Sequence, residues 1–187
     1  MIGTDSRILI VDGQARLRRL LDTMFHVSGV KTIHSAPDGK TARDFLLSNP
    51  VDIVLYDWNA PGMNGVDFLR LVRSLSVTRF LPFVLMSGYG QLDKQDYAVG
   101  KDLDVDGYVY KPITHEELED KVGAIMDQHV SLVDTYVHFA CASAFVDVEE
   151  YQEARKELKS AREKGDRSPR VWNESVVVYE DMQRLKE

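Results

Sequence analysis

Five short apolar runs alternate with amphipathic segments along the first two thirds of the chain. The runs are rich in β-branched residues and have the length of strands that are covered on both faces; they are Arg7–Asp12, Val30–Ser35, Val51–Asp57, Pro82–Ser87 and Val105–Tyr110. Apolar residues at three- and four-residue spacing predict a helix after each run, at Gln14–Val27, Asp38–Leu47, Asn64–Leu75, Gln91–Leu103 and Thr114–Met126. This alternation predicts an α/β fold, a doubly wound five-stranded parallel sheet with right-handed crossovers.

The last third of the chain lacks the strand pattern and carries a repeat instead. The segment HFACASAF, which starts at His138, recurs as WNESVVVY, which starts at Trp172, at an offset of 34 residues. This offset and the spacing of the large residues resemble the tetratricopeptide pattern. We therefore expect two domains, residues 1–127 and residues 128–187, the second an all-α extension resembling about one and a half such repeats. A generic helical hairpin with a coincidental offset is the alternative.

Composition and charge narrow the class of protein. The chain has 187 residues, with 23 Lys and Arg against 30 Asp and Glu, and its net charge of −7 argues against a nucleic-acid binder. The cluster Arg16, Arg18 and Arg19 fits a solvated helix face, and the single Cys141 excludes an intramolecular disulfide framework. No apolar run reaches the ~18 residues of a membrane span, and the first residues lack the apolar stretch of a secretory signal. We therefore expect a cytoplasmic protein without a membrane or nucleic-acid partner.

Chemically active residues stand where the predicted strands end. The first strand ends at Asp12, the third at Asp57, the fourth at Ser87 and the fifth at Lys111-Pro112. Because sites in such sheets lie outside the carboxyl ends of the strands, we expect these side chains to converge. A carboxylate can accept a phosphoryl group when a divalent cation and a lysine offset the repulsion between the charges. Asp12 and Asp57 can supply oxygen ligands to Mg²⁺, Lys111 the fixed positive charge, and Ser87 a hydrogen bond to the product.

These residues resemble the receiver domain of two-component response regulators, over residues 5–127. The loop LYDWNAPGMNG around Asp57 is similar to the family's phosphorylation-site loop, MSG at Ser87 matches its switch hydroxyl, and GYVYKP at Lys111 matches its Lys-Pro signature. The resemblance implies a flavodoxin-like sheet of strand order 2-1-3-4-5. It also implies that Asp57 is the phospho-acceptor and Lys111 the ion-pair lysine. Ser87 would be the switch hydroxyl, and Tyr108 the aromatic residue that changes rotamer.

One position departs from the family pattern. The resemblance implies that Mg²⁺ is bound by Asp12, Asp57 and the backbone carbonyl of Asn59, but the family normally has two adjacent acids after the first strand. This chain has Asp12-Gly13. Loss of an anionic ligand weakens Mg²⁺ binding, which leaves two hypotheses. Either Asp12 and water molecules still hold Mg²⁺ and phosphotransfer is slower, or the domain is a pseudo-receiver scaffold that is not phosphorylated.

The family resemblance implies a phosphorylation-controlled switch. A sensor histidine kinase or a phosphotransfer protein would donate a phosphoryl group to Asp57, and the face formed by the fourth helix, fifth strand and fifth helix would repack. Output would follow by contact with a downstream protein through this face and the helical tail, which is also a candidate surface for a homodimer. No enzyme activity is expected beyond self-phosphotransfer and slow autodephosphorylation. A haloacid-dehalogenase-type phosphatase is disfavoured, since such enzymes need a second acid at the position of Asn59.

Overall fold

The structure, a computed structural model, describes residues 2–75, 78–88, 90, 102, 104–147 and 150–164. These residues divide into two compact units between Met126 and Asp127. The predicted helix at Gln91–Leu103 and the repeat copy that starts at Trp172 lie outside the described ranges, apart from residue 102. Within those ranges no helix is long and apolar enough to cross a membrane.

The first unit contains a five-stranded parallel sheet of order β2-β1-β3-β4-β5, which confirms the predicted fold. Its strands are β1 (Arg7–Val11), β2 (Thr32–Ala36), β3 (Ile53–Asp57), β4 (Phe83–Gly88) and β5 (Gly107–Lys111). The second strand begins later than predicted because Gly29, at φ +89°, and Val30 complete the turn that precedes it. The direction of winding reverses between β1 and β3, so the switch point of the sheet lies between these two strands.

The helices described in the structure are α1 (Ala15–Val27), α2 (Gly39–Leu46), α3 (Gly65–Ser74), α4 (His115–Asp147) and α5 (Tyr151–Lys164). Two of them begin at side-chain caps. Asp38 accepts a hydrogen bond from the Thr41 N–H at 2.8 Å, and Asn64 accepts one from the Asp67 N–H at 2.9 Å. Each bond satisfies a main-chain donor that the first turn of a helix leaves without a helical partner.

Helix α4 is longer than the sequence pattern predicts. It begins as expected, where the Thr114 hydroxyl accepts a hydrogen bond from the Glu117 N–H at 3.2 Å. The predicted end at Met126 is wrong, because the helix continues to Asp147. Positions 127–147 contain no Gly and no Pro, so no residue in this stretch breaks a helix.

Both faces of the central strands are covered, which explains why β1, β3 and β4 are mostly apolar. Alternate residues of β1 point to opposite faces. Ile8 and Ile10 join a buried cluster with residues of α1 and α4, namely Leu21, Phe25, Leu118 and Val122. Leu9 and Val11 join a second cluster with residues of α2 and α3, namely Ala42, Leu46, Phe68, Leu69 and Val72. The two clusters fix the central strands, whose carboxyl ends carry the candidate site.

The second unit contains α4 from Asp127 onward and α5. Ala142 and Ala154 are buried together, and Phe145 and Leu158 pack against them. These contacts join two successive helices, as a helical hairpin requires. The resemblance to tetratricopeptide repeats stays a prediction.

Candidate functional site

Three charged side chains meet at the carboxyl edge of the sheet. Lys111 Nζ donates hydrogen bonds to Asp12 Oδ2 and to Asp57 Oδ1, both at 2.7 Å. Asp12 follows β1, while Asp57 and Lys111 end β3 and β5. The structure therefore brings together residues that are far apart in the sequence, and it does so on both sides of the switch point.

The Asp12 residue is held at four of its atoms. Its N–H donates to the Ala36 carbonyl at 3.2 Å, which extends the pairing of β1 with β2. Its Oδ1 accepts the Gln14 N–H at 2.6 Å, and its main-chain carbonyl accepts Arg18 Nη1 at 2.5 Å. Lys111 bonds to Oδ2, so both carboxylate oxygens of this fully buried residue have hydrogen-bond partners that fix its orientation.

The Asp57 carboxyl lies in an environment with opposing electrostatic effects. Burial raises its pKa above the ordinary value, and the nearby Asp12 carboxylate adds to that rise. The Lys111 ammonium and the Asn59 N–H, which bond to the carboxylate, lower the pKa and partly offset burial. Asp57 thus depends on Lys111 for much of the stability of its charged, nucleophilic form.

The charged cluster opens into a cavity of about 390 Å³. Its lining combines main-chain and side-chain polar groups from the carboxyl edge of the sheet: Asp12, Gly13, Gln14, Asp57, Asn59, Pro61, Gly88 and Lys111. The volume lies at the lower end of the range for small-molecule sites. A phosphoryl group with a hydrated cation is a suitable occupant in size and charge.

Of the remaining predicted site residues, Asn59 lines the cavity and bonds to Asp57 through its N–H, whereas Ser87 and Tyr108 are not part of the cavity lining. Ser87 is buried on β4, and its hydroxyl donates to the Gly88 carbonyl at 3.2 Å. Tyr108 is half-buried on β5 and packs against the core cluster on the α2 and α3 face. Asn59 is exposed and lines the cavity.

Gly13 lines the cavity where the family pattern has a second acid. A Cβ atom built on Gly13 lies 3.0 Å from both Cγ and Cδ of Pro61, so even a small side chain there requires Pro61 to shift. Among the described residues, no three His, Cys, Asp or Glu side chains form a group that could hold a metal ion. The carboxylates of Asp12 and Asp57 still fit Mg²⁺, because this ion is commonly bound by one or two carboxylates and keeps several water molecules.

Arg18 contacts the site although the sequence pattern assigned it to a solvated helix face. Arg16 and Arg19 are exposed as predicted, but Arg18 is half-buried and bonds to the Asp12 carbonyl. The sequence feature that could have predicted this contact is the position of Arg18, four residues after Gln14. Such a residue lies on the same side of the helix as the residue that precedes the first turn.

The first unit is similar to proteins of a known family. The family described as response regulator receiver domain matches residues 8–123. The chemotaxis protein CheY of Pseudomonas aeruginosa is 34% identical over 122 residues, which cover 65% of this chain and 97% of that protein. The chemotaxis protein CheY-3 of Vibrio cholerae is 29% identical over 128 residues, which cover 68% of this chain and 97% of that protein. The solved structure of the chemotaxis response regulator CheY4 of Vibrio cholerae has a TM-score of 0.60 at 24% identity and covers 65% of this chain and 99% of that chain.

Proposed function

This chain belongs to the response regulator receiver domain family, and on that premise we propose that it is a phosphorylation-controlled response regulator with Asp57 as its phospho-acceptor. One observation carries the proposal: Lys111 bridges the Asp57 and Asp12 carboxylates at 2.7 Å at the wall of an open cavity. Phosphoryl transfer to a carboxylate requires a positive group that offsets the charge of the carboxylate and of the incoming phosphoryl group, and a position that solvent can reach. A lysine that bonds two buried acids at the wall of an open cavity meets both requirements.

The proposed reaction is the transfer of a phosphoryl group from a phosphohistidine of a histidine kinase or phosphotransfer protein. An Asp57 carboxylate oxygen forms a bond to phosphorus while the phosphorus–nitrogen bond breaks, and the leaving imidazole takes a proton from water. Lys111 offsets the negative charge that accumulates on the phosphoryl oxygens. Hydrolysis of the acyl phosphate by water returns the free carboxylate and releases inorganic phosphate.

The site would hold Mg²⁺ through the Asp12 and Asp57 carboxylates and the Asn59 carbonyl. When bound, this cation supplies further neutralisation of the phosphoryl oxygens. After transfer, the Ser87 hydroxyl would leave the Gly88 carbonyl and donate to a phosphoryl oxygen. Tyr108, which lies on β5 and packs against the α2 and α3 cluster, would change rotamer and alter the surface near β5.

The direct test is phosphorylation of the full chain by acetyl phosphate with Mg²⁺, followed by intact-mass measurement. We expect the wild type to gain one phosphoryl group and Asp57→Asn, which keeps the shape of the side chain, to gain none. Circular dichroism of Asp57→Asn checks that its fold is retained. A phosphoryl mass on both chains, or on neither, would contradict the assignment of Asp57.

A second candidate function, a pseudo-receiver scaffold that acts without phosphorylation, is favoured by Gly13. With no acid at that position, the single charge of Lys111 offsets half of the formal charge of the two remaining carboxylates, and a cation gains less by binding. Titration of Mg²⁺ against the fluorescence of Trp58, which follows Asp57 in the sequence, separates the candidates. Quenching supports the phosphorylated switch, whereas the absence of quenching and of a phosphoryl mass supports the scaffold.

The proposed output is protein–protein contact through the receiver surface and the helical tail. The buried contact between Ala142 and Ala154 supports a folded tail that can present a surface to a downstream protein or to a second copy of the chain. Light scattering of the full chain, with and without acetyl phosphate, tests the homodimer. A mass that doubles on phosphorylation is expected, and an unchanged monomer mass would contradict the homodimer without affecting the role of Asp57.

A further inference from the structure

Arg18 differs from the other arginines of α1 in what it contacts. Arg16 and Arg19 are exposed, whereas the Arg18 guanidinium folds back over the first turn of the helix and donates to the Asp12 main-chain carbonyl at 2.5 Å. This bond joins the second turn of α1 to the residue that follows β1. A charged donor to a main-chain carbonyl stabilises more than a neutral one does.

The link between β1 and α1 needs such a contact. Gly13 stands between the buried Asp12 and Gln14, and its φ lies outside the left-handed region, so the backbone there does not require a glycine. The glycine therefore adds conformational freedom without relieving strain. Within this link, the Asp12 carboxylate is held to its own loop by one hydrogen bond from the Gln14 N–H, at 2.6 Å.

We infer that Arg18 is a positioning residue, which holds the β1–α1 loop so that the Asp12 carboxylate faces Lys111 and the cavity. Arg18 fixes the main-chain side of Asp12, Gln14 fixes one carboxylate oxygen, and Lys111 bonds the other. This role rests on the proposed function only in so far as Asp12 holds Mg²⁺ for phosphotransfer; the ordering of the loop does not depend on it.

Three variants of the full chain test the inference. Arg18→Ala removes the bond, Arg18→Lys keeps a cation that can donate to one carbonyl, and Arg19→Ala is the control that removes the same charge from the exposed face of the same helix. The first measurement is amide hydrogen exchange of Gln14, with the central strand residue Leu55 as the gauge of global stability. The second is the Mg²⁺ affinity obtained from Trp58 fluorescence.

We expect Gln14 exchange to be about tenfold faster in Arg18→Ala, as follows from loss of a hydrogen bond to a charged group, with Leu55 exchange changed much less. The Mg²⁺ affinity should fall about tenfold, the effect typical of removing a group that orients a metal ligand. Arg18→Lys should restore most of both properties, and Arg19→Ala should match the wild type. A merely structural Arg18 would accelerate Gln14 and Leu55 exchange together and leave the Mg²⁺ affinity of the folded chain unchanged.

The two measurements keep this inference distinct from the proposed function. If the wild type shows no response to Mg²⁺, the proposed metal-assisted phosphotransfer fails, and Gln14 exchange still decides the role of Arg18. Equal Gln14 exchange in Arg18→Ala and Arg19→Ala would overturn the positioning role even if Asp57 is phosphorylated normally.

Discussion

Replacement of Lys111 by methionine removes the charge that the two buried carboxylates share. The Asp12 side chain is 0% exposed, that of Asp57 is 11% exposed, and that of Lys111 is 20% exposed. Methionine keeps most of the length and packing of the lysine side chain, so the change is chiefly electrostatic. It leaves two neighbouring acids without their common partner.

The magnitude follows from the distances. At 2.7 Å and an effective dielectric constant of ~20, each ion pair contributes about 6 kcal/mol of Coulomb attraction, most of which offsets the cost of burying the charges. Removing one partner of a buried pair commonly costs about 3–5 kcal/mol. We expect a loss in this range for Lys111→Met at pH 7, which is a large part of the stability of an ordinary domain.

Urea unfolding in the presence of a chelator measures this loss. Lys31→Met is the matched control, because the Lys31–Asp5 pair is equally direct at 3.0 Å but its side chains are 69% and 87% exposed. Its loss should stay below about 0.5 kcal/mol. The double variant Lys111→Met/Asp57→Asn, which removes one of the two stranded charges, should recover about 2 kcal/mol of the single-variant loss.

The pH dependence gives a second check on the same reasoning. Without Lys111 the pKa of Asp57 rises further, since the ammonium lowers it in the wild type. The folded variant then binds a proton that the unfolded chain releases, so its deficit should shrink as the pH falls toward the ordinary value for Asp of about 3.9. A loss below about 1 kcal/mol, independent of pH and equal to that of Lys31→Met, would refute the buried-pair argument.

Three further outcomes follow from the structure. Burial raises the pKa of Asp57, so its contribution to stability is present below the unfolded-state pKa and is lost as the pH rises through the folded-state pKa. The variant Asp57→Asn should therefore be more stable than the wild type in urea unfolding at pH 7, and the difference should close toward pH 4. Gly39→Ala should lower the free energy of unfolding by about 1–3 kcal/mol in urea titrations, since its Cβ would lie 2.5 Å from the buried Tyr56 hydroxyl. Asn64→Ala should cost about 1 kcal/mol in thermal unfolding, because the Asp67 N–H loses its cap.

The strands and the meeting of the charged residues could be predicted because they follow from simple constraints. A strand covered on both faces must be apolar throughout, as β3 is, and its carboxyl end must carry any polar residue that serves the site. The switch-point rule then brings Asp12 and Asp57 together without knowledge of side-chain packing. These parts of the fold depend on sequence periodicity and topology alone.

Other features depend on three-dimensional contacts that periodicity does not encode. The three- and four-residue apolar spacing predicts this helix only to Met126, yet α4 continues to Asp147 because residues 127–147 contain no Gly or Pro that would end it. A charged residue such as Arg18 is expected in solvent, but its side chain bonds to the Asp12 carbonyl, which precedes the first turn of α1. The hydrogen bond from the Ser87 hydroxyl to the Gly88 carbonyl depends on the rotamer of Ser87, which the sequence does not determine.

Gly13 has two opposing consequences for the site, and their relative size determines how the protein can work. With Gly13 in place of an acid, the cluster of Asp12, Asp57 and Lys111 carries less negative charge in total. In the proposed reaction, the incoming phosphoryl group therefore meets less repulsion. In the proposed metal site the same loss removes a direct oxygen ligand of Mg²⁺, and this effect is larger because a ligand lies closer to the cation than to the incoming phosphoryl group. For the proposed switch, Gly13 therefore lowers the occupancy of Mg²⁺ more than it changes the reactivity of Asp57. An acid introduced at this position would recover that occupancy only in so far as Pro61, 3.0 Å from the new Cβ, can move away.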